Sequence, residues 1–292
     1  MKNYLSLVKF SHTIFAMPFA MIGFALGWKS LIINDSISYR ALAIKFVLVI
    51  ICMVTARNAA MAFNRYIDRK YDEKNPRTAV REIPSGIITP QNALLFVMIN
   101  CLIFIVTTHF INTLCFYLSP VALLVVLGYS ITKRFTFLCH LILGIGLGLA
   151  PIGAYLALTG KFEILPLFFS FAVFFWVSGF DIIYALQDEQ FDKEHKLYSI
   201  PAYYGQDKAK RISRLLHICS AACIIWAGYY GHFHALYILG TIVFAGLLIY
   251  QHSLVLRFGL EKIDIVFFTT NGIASVLFSL CVITDIIMFF KL

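Results

Sequence analysis

Nine apolar runs, each long enough to cross a lipid bilayer as a helix, constrain this chain more than any other feature of its sequence. They lie near 11–30, 41–64, 91–112, 114–130, 138–159, 164–187, 212–231, 233–254 and 265–289. A helix needs about 20 mostly apolar residues to span a hydrocarbon core of ~30 Å, and it satisfies its own backbone polar groups there. The short alternating segments of a membrane β-barrel are absent. Composition agrees, since 60% of the 292 residues are hydrophobic and only 13% are charged, about half the charged share of soluble domains. Mean hydropathy is +0.83. An all-α polytopic membrane protein of about nine transmembrane helices is therefore expected. The run at 114–130 is short and holds Pro120. Lys2 and Lys9 precede the first run as in a signal peptide, but that run is long and lacks a small-residue cleavage site, so it reads as a helix.

Basic residues orient the bundle. With the N-terminus in the cytoplasm, inward segments carry 18 of the 24 Lys and Arg residues, while Lys29, Arg40, Lys161 and Lys291 face outward. Lys45 and Arg57 fall inside spans. Positive charge retained in cytoplasmic loops is the usual determinant of orientation, so the net charge of +9 is a topology signal before it is a nucleic-acid signal. The seven cysteines are scattered through apolar runs without a CxxC pair and read as packing residues.

Acids are concentrated differently. The stretches NRYIDRKYDEKNPRTAVREIPSG (64–86) and DIIYALQDEQFDKEHKLYSIP (181–201) hold nine of the 15 Asp and Glu residues, both on expected inward loops. Set at an offset of 120, they align Asp68 with Asp188 and Asp72 with Asp192. The matching positions end the second and sixth spans, which predicts a single domain over 1–292 built from a parallel internal repeat, approximately 41–159 and 164–289. Residues four apart share a helix face, so each aspartate pair projects together and needs a counter-ion. Mg²⁺ suits such a site because it takes hard oxygen ligands and binds through one or two carboxylates plus substrate phosphates. Asn64, one turn before Asp68, adds a neutral oxygen on that face. The inward cations Arg77, Arg81, Lys133 and Arg134 form a basic rim able to meet a diphosphate.

Each of these residues has a plainer reading. A single DxxxD at a helix end serves equally as an interfacial anchor, and each cation alone serves as a topology determinant; the repetition of the pattern in two places favours a site. Arg57, seven residues before Asn64 and about 10 Å deeper, either forms a salt bridge with Asp181 or binds an anionic group of a second substrate. His12 faces the same end of the membrane and is a candidate cavity residue. Gly144, Gly146 and Gly148 form a GxGxG that, inside a span, favours close helix packing over phosphate binding. His232 and His234 lie on an outward turn and need no ligand role.

The segments NRYIDRKYD, PRTAVREIPSG, YSITKRFT and DIIYALQDEQFDKEHKLYSIP resemble the UbiA superfamily of intramembrane aromatic prenyltransferases, and the 4-hydroxybenzoate polyprenyltransferase-like branch in particular. The resemblance runs nearly the whole chain. It implies nine helices around a central cavity open to lipid, with Asn64, Asp68, Asp72, Asp188 and Asp192 holding Mg²⁺ and the prenyl diphosphate. It implies that Arg77, Arg81, Lys133 and Arg134 cap the diphosphate and that Arg57 meets the carboxylate of an aromatic acid acceptor. The implied reaction is transfer of a polyprenyl group to an acid such as 4-hydroxybenzoate in quinone (ubiquinone) biosynthesis, in a bacterial inner membrane with the site toward the cytoplasm. Asp181 or Tyr184 would accept the ring proton or orient the ring. The alternatives are a dihydroxynaphthoate acceptor in menaquinone synthesis by the futalosine route and, from another class, a cation-coupled transporter. Transporter sites tend to lie near the midplane at broken helices, whereas these acids cluster at one face beside cations. A CDP-alcohol phosphotransferase would need a DGxxAR element, which is missing here.

Overall fold

The computed structural model describes residues 2–8, 17–33, 38–261, 263 and 265–289, and every regular element among them is helical. His12, Lys9, Lys262 and Lys291 lie outside the described residues. A short helix α1 (Lys2–Leu7) precedes α2 (Met17–Ile33), α3 (Tyr39–Asp72), α4 (Pro90–Ile111), α5 (Thr113–Thr132), α6 (Cys139–Thr159) and α7 (Ile164–Ala185). A 3-10 turn (Leu186–Asp188), α8 (Glu189–Glu194) and α9 (Ile200–Tyr204) lead into α10 (Gln206–Tyr230), α11 (Ala235–Phe258), a π turn (Ile265–Thr270) and α12 (Asn271–Met288). Eight of the described helical segments are long and apolar enough to cross a membrane, and α2 is a shorter apolar helix beside them. The nine expected runs correspond to these nine segments. The protein is an integral membrane protein.

Local signals set the helix boundaries. Ser38 Oγ accepts from the Ala41 N–H and starts α3, and Thr89 does the same for Asn92 ahead of Pro90, as hydroxyl N-caps and first-turn prolines do. Asn112 separates α4 from α5 by accepting from the Cys115 N–H, and its amide donates to Leu156 and Ala157 carbonyls at the end of α6. Lys45 Nζ donates to the Ala157 and Leu158 carbonyls at 2.8 and 3.1 Å. This cation inside a span is placed at a helix C-terminus, where unpaired carbonyls and the dipole favour it.

Pro120 does not end α5. A proline frees the carbonyl four residues earlier, here that of Phe116, and Ser119 Oγ donates to it at 2.7 Å. Lipid offers no water for an unmet carbonyl, so a neighbouring hydroxyl is the usual remedy.

The helices close into a ring by neighbour packing. α3 packs on α4 and α5, α5 on α6, α6 on α7 and α2, α7 on α10, α10 on α11, α11 on α12, and α12 returns to α2. Phe19 of α2, Phe169 and Trp176 of α7, Phe244 of α11 and Phe278 of α12 form a buried aromatic core. Two glycines of the GxGxG set a close contact between α6 and α7: a Cβ on Gly144 would lie 2.6 Å from the Phe174 carbonyl oxygen, and one on Gly148 2.9 Å from that of Ser170, whereas Gly146 meets only Val126 at 3.7 Å. Gly144 and Gly148 therefore let α6 approach α7 backbone to backbone, as small residues do between membrane helices.

Candidate active site

Both acidic motifs sit where a helix outruns the bilayer. α3 has 34 residues, roughly 50 Å at 1.5 Å per residue, so its last turns carry Asn64, Asp68 and Asp72 past the apolar layer. The second long segment, Ile164–Glu194, ends in Asp188 and Asp192. The two ends differ in conformation. Asp68 and Asp72 lie on unbroken α-helix, whereas the 3-10 turn Leu186–Asp188 interrupts the second segment before α8. A 3-10 turn advances about 120° per residue instead of 100°, so the second pair is not stacked on one α-helical face as its spacing predicts. Asp188 faces Arg77, and Asp192 is fully buried against Lys133 and Ser199.

The four motif aspartates each hold one cation. Asp68 pairs with Arg134 at 3.1 Å, Asp72 with Arg81 at 2.6 Å, Asp188 with Arg77 at 2.5 Å and Asp192 with Lys133 at 2.7 Å. Arg77 comes from the loop after the first motif yet binds the second. Lys133 and Arg134 are adjacent in the turn after α5 and reach one motif each. These crossed pairs bring both acidic ends into one site. Burial opposes the charge on Lys133, but the Asp192 carboxylate outweighs it and raises the ammonium pKa; Asp188 and Tyr184 do the same for Arg77. Neighbouring carboxylates thus keep both cations charged.

The remaining expected residues divide. Asn64 Nδ2 donates to Asp68 Oδ2 at 3.1 Å, and Tyr184 accepts from Arg77 Nη1 through its hydroxyl while its ring lies under the guanidinium. Arg57 does not take the salt bridge envisaged as its plainer role: Nη1 donates to the Val8 carbonyl at 2.9 Å, and Asp181 pairs with His140 at 2.6 Å.

Several residues carried no spacing signal. Asn75 is buried; its amide donates to Asp188, and its carbonyl oxygen accepts from the Arg77 N–H. Ser199 donates to Asp192 at 2.8 Å while capping α9. Arg65 is 5% exposed among Asp72, Glu82 and Tyr129. His140 had one signal, a lone histidine in an apolar run.

Among the described residues no group of three or more His, Cys, Asp or Glu side chains is gathered as a metal site, because each aspartate is turned to its own cation. The donor set nevertheless suits a hard divalent cation, being carboxylates plus one amide. Asp72 Oδ2 is buried without a hydrogen-bond partner, an unmet acceptor of the kind a cation satisfies.

The sequence profile of the UbiA prenyltransferase family matches residues 14–273. The chain belongs to this family. The UbiA-family chain is 29% identical over 223 residues to the 4-hydroxybenzoate octaprenyltransferase of Tolumonas auensis, covering 76% of this chain and 78% of that one. Its counterpart in Methylococcus capsulatus is 30% identical over 205 residues, 70% of each chain. Among solved structures, the apo form of a UbiA homolog from Aeropyrum pernix K1 is similar with a TM-score of 0.82 at 29% identity, covering 94% of this chain and 98% of that one. A UbiA homolog from Archaeoglobus fulgidus bound to DMAPP and Mg²⁺ shares the fold, with a TM-score of 0.73 at 20% identity over 98% of this chain and 99% of that one. This chain is an enzyme, an aromatic prenyltransferase of the UbiA type.

Proposed function

We propose that this UbiA-family enzyme transfers a polyprenyl group from a prenyl diphosphate to an aromatic acid such as 4-hydroxybenzoate, as a step of quinone biosynthesis. The observation that carries this reading is the one-to-one pairing of four aspartates with four loop cations. Such a site has carboxylates to offer a divalent cation and, once these are taken, guanidinium and ammonium groups to offer a diphosphate. The names of the Tolumonas and Methylococcus relatives support the aromatic acceptor, and the Archaeoglobus complex supports a prenyl diphosphate with Mg²⁺.

Asn64, Asp68, Asp72, Asp188 and Asp192 would hold Mg²⁺. When bound, the ion neutralises diphosphate charge and stabilises the charge that develops on the leaving oxygens. Arg77, Arg81, Lys133 and Arg134 donate to the diphosphate and help the allylic C–O bond ionise. Tyr184, edge to face with Phe268 at 6.2 Å, supplies an aromatic wall that keeps water from the cation. Arg57 binds the acceptor carboxylate, and Asp181 accepts the proton displaced from the ring. We take the orientation to be cytoplasmic, in a bacterial inner membrane, on the strength of the loop cations, and 41–159 and 164–289 to be two copies of one unit.

The deciding experiment incubates the purified chain in lipid nanodiscs with Mg²⁺, a set of prenyl diphosphates and either 4-hydroxybenzoate or a dihydroxynaphthoate. Mass spectrometry should find a prenylated hydroxybenzoate. Prenylated naphthoate alone would move the enzyme to menaquinone synthesis, and no prenylated aromatic product would sink the reading.

A further inference from the structure

His140 is 3% exposed inside α6, and both of its ring nitrogens are committed. The Ile200 N–H points at Nε2 at 3.3 Å, and Nδ1 lies 2.6 Å from Asp181 Oδ2. A backbone N–H can only donate, so Nε2 bears the lone pair and the ring proton sits on Nδ1, facing Asp181. Asp181 thus accepts from a neutral donor through one oxygen. Its other oxygen, Oδ1, has no hydrogen bond among the described residues, and its side chain is 22% exposed. The four motif aspartates are each matched by a Lys or Arg; Asp181 is not. Among the described residues it is therefore the carboxylate of this site that has no Lys or Arg partner and keeps an oxygen without a hydrogen bond.

We propose that His140 is the positioning residue for Asp181. It fixes Oδ2 and leaves Oδ1 as the oxygen that takes the ring proton. This inference deepens the prenyl-transfer reading and rests on it. The electron balance is simple. The allylic C–O pair leaves with the diphosphate, and a ring π pair forms the new C–C bond. The C–H pair at that carbon returns to the ring while its proton passes to Asp181 Oδ1, from which water later removes it. His140 keeps its own proton throughout, since Nε2 is held by Ile200.

The position has a further consequence. Ser199 and Ile200 are neighbours at the start of α9: the first donates to Asp192 and the second to His140. One turn of chain therefore holds both a diphosphate-site aspartate and the histidine behind the proton acceptor, so the two are set in register by the same backbone.

The test uses the full chain in nanodiscs with Mg²⁺, a prenyl diphosphate and an acceptor that the wild type prenylates, either unlabelled or deuterated at the attacked ring carbon. General-base catalysis contributes about 10²–10⁴-fold, so misplacing the base should be visible in turnover. His140→Leu should lower kcat by about tenfold or more, keep both KM values within about threefold, and raise the deuterium isotope effect on kcat above its wild-type value. His140→Gln retains a donor for Asp181 and an acceptor for Ile200, and should keep kcat within about threefold. A merely structural role moves stability and KM without changing the isotope effect. Unchanged turnover in the Leu variant, or lost turnover with an unchanged isotope effect, overturns the proposal. If the Leu variant does not fold, the Gln variant decides: near-normal kcat supports the role, and a loss as large as that of Asp181→Ala overturns it. Failure of the underlying reading looks different, because the wild type itself then prenylates no aromatic acid.

Discussion

Arg57 and Asn75 show how much a single side chain can decide here. Arg57 lies within α3, where its Nη1 donates to the Val8 carbonyl and Asp181 pairs with His140 instead; the proposed function gives its guanidinium the acceptor carboxylate. Losing a charge-assisted pair in a dry site costs about 2–5 kcal/mol. Arg57→Ala should therefore raise the KM of a carboxylated acceptor tenfold or more, while prenyl diphosphate affinity stays nearly constant. Equal losses for acceptors with and without a carboxylate would reject the binding role. Asn75 links the Arg77 backbone to the Asp188 carboxylate. Removing a buried amide that satisfies two partners costs about 1–3 kcal/mol, so Asn75→Ala should weaken prenyl diphosphate binding measurably in calorimetry, and unaltered binding would show that Arg77 holds its place alone.

At the scale of elements, the α6–α7 contact and the proline in α5 make separate claims about stability. Gly144 and Gly148 face carbonyls of α7, and Gly146 faces open packing against Val126. Overpacking a close contact typically costs about 1–3 kcal/mol. Gly144→Ala and Gly148→Ala should each lower the melting temperature in detergent, whereas Gly146→Ala should leave it nearly unchanged; a uniform response across the three would refute the packing assignment. Ser119 makes a comparable prediction, because without its hydroxyl the Phe116 carbonyl above Pro120 loses the partner seen at 2.7 Å. Ser119→Ala should destabilise by about 1 kcal/mol, and replacing Pro120 by Ala in that background should restore the loss.

At the scale of the whole molecule, the proposed function ties metal binding to diphosphate binding. With every motif aspartate holding a cation, a diphosphate arriving alone must pull cations from carboxylates and leave those carboxylates unpaired. Prenyl diphosphate binding, followed directly by calorimetry, should weaken at least tenfold in EDTA and recover with Mg²⁺; full affinity in chelator would contradict the arrangement. Orientation is also a property of the whole chain. In a background without native cysteines, Lys74→Cys and Glu194→Cys, both exposed, should react with an impermeant thiol reagent only from the cytoplasmic side. Reaction from outside would reverse the assigned face.

The sequence by itself determined the helices, the recurrence of an acidic motif at two of their ends and the residue types of the candidate site. Long apolar runs must be helical because lipid leaves no other way to satisfy a backbone, and hydropathy is a sum over neighbours in the chain. Asp68, Asp72, Asp188 and Asp192 were legible for the same reason: their spacing is local, and it occurs twice. Tertiary structure decided which partner each side chain meets. Arg77 crosses from one motif to the other, Lys133 and Arg134 divide between them, and Asn75, Ser199 and His140 enter the site from segments that no periodicity marks. The 3-10 turn that ends at Asp188 likewise escaped an i, i+4 reading. These ion pairs and hydrogen bonds join residues as far as 113 positions apart, and the long-range ones form only after packing has placed the helix ends side by side, so their pattern belongs to the fold rather than to any stretch of the chain.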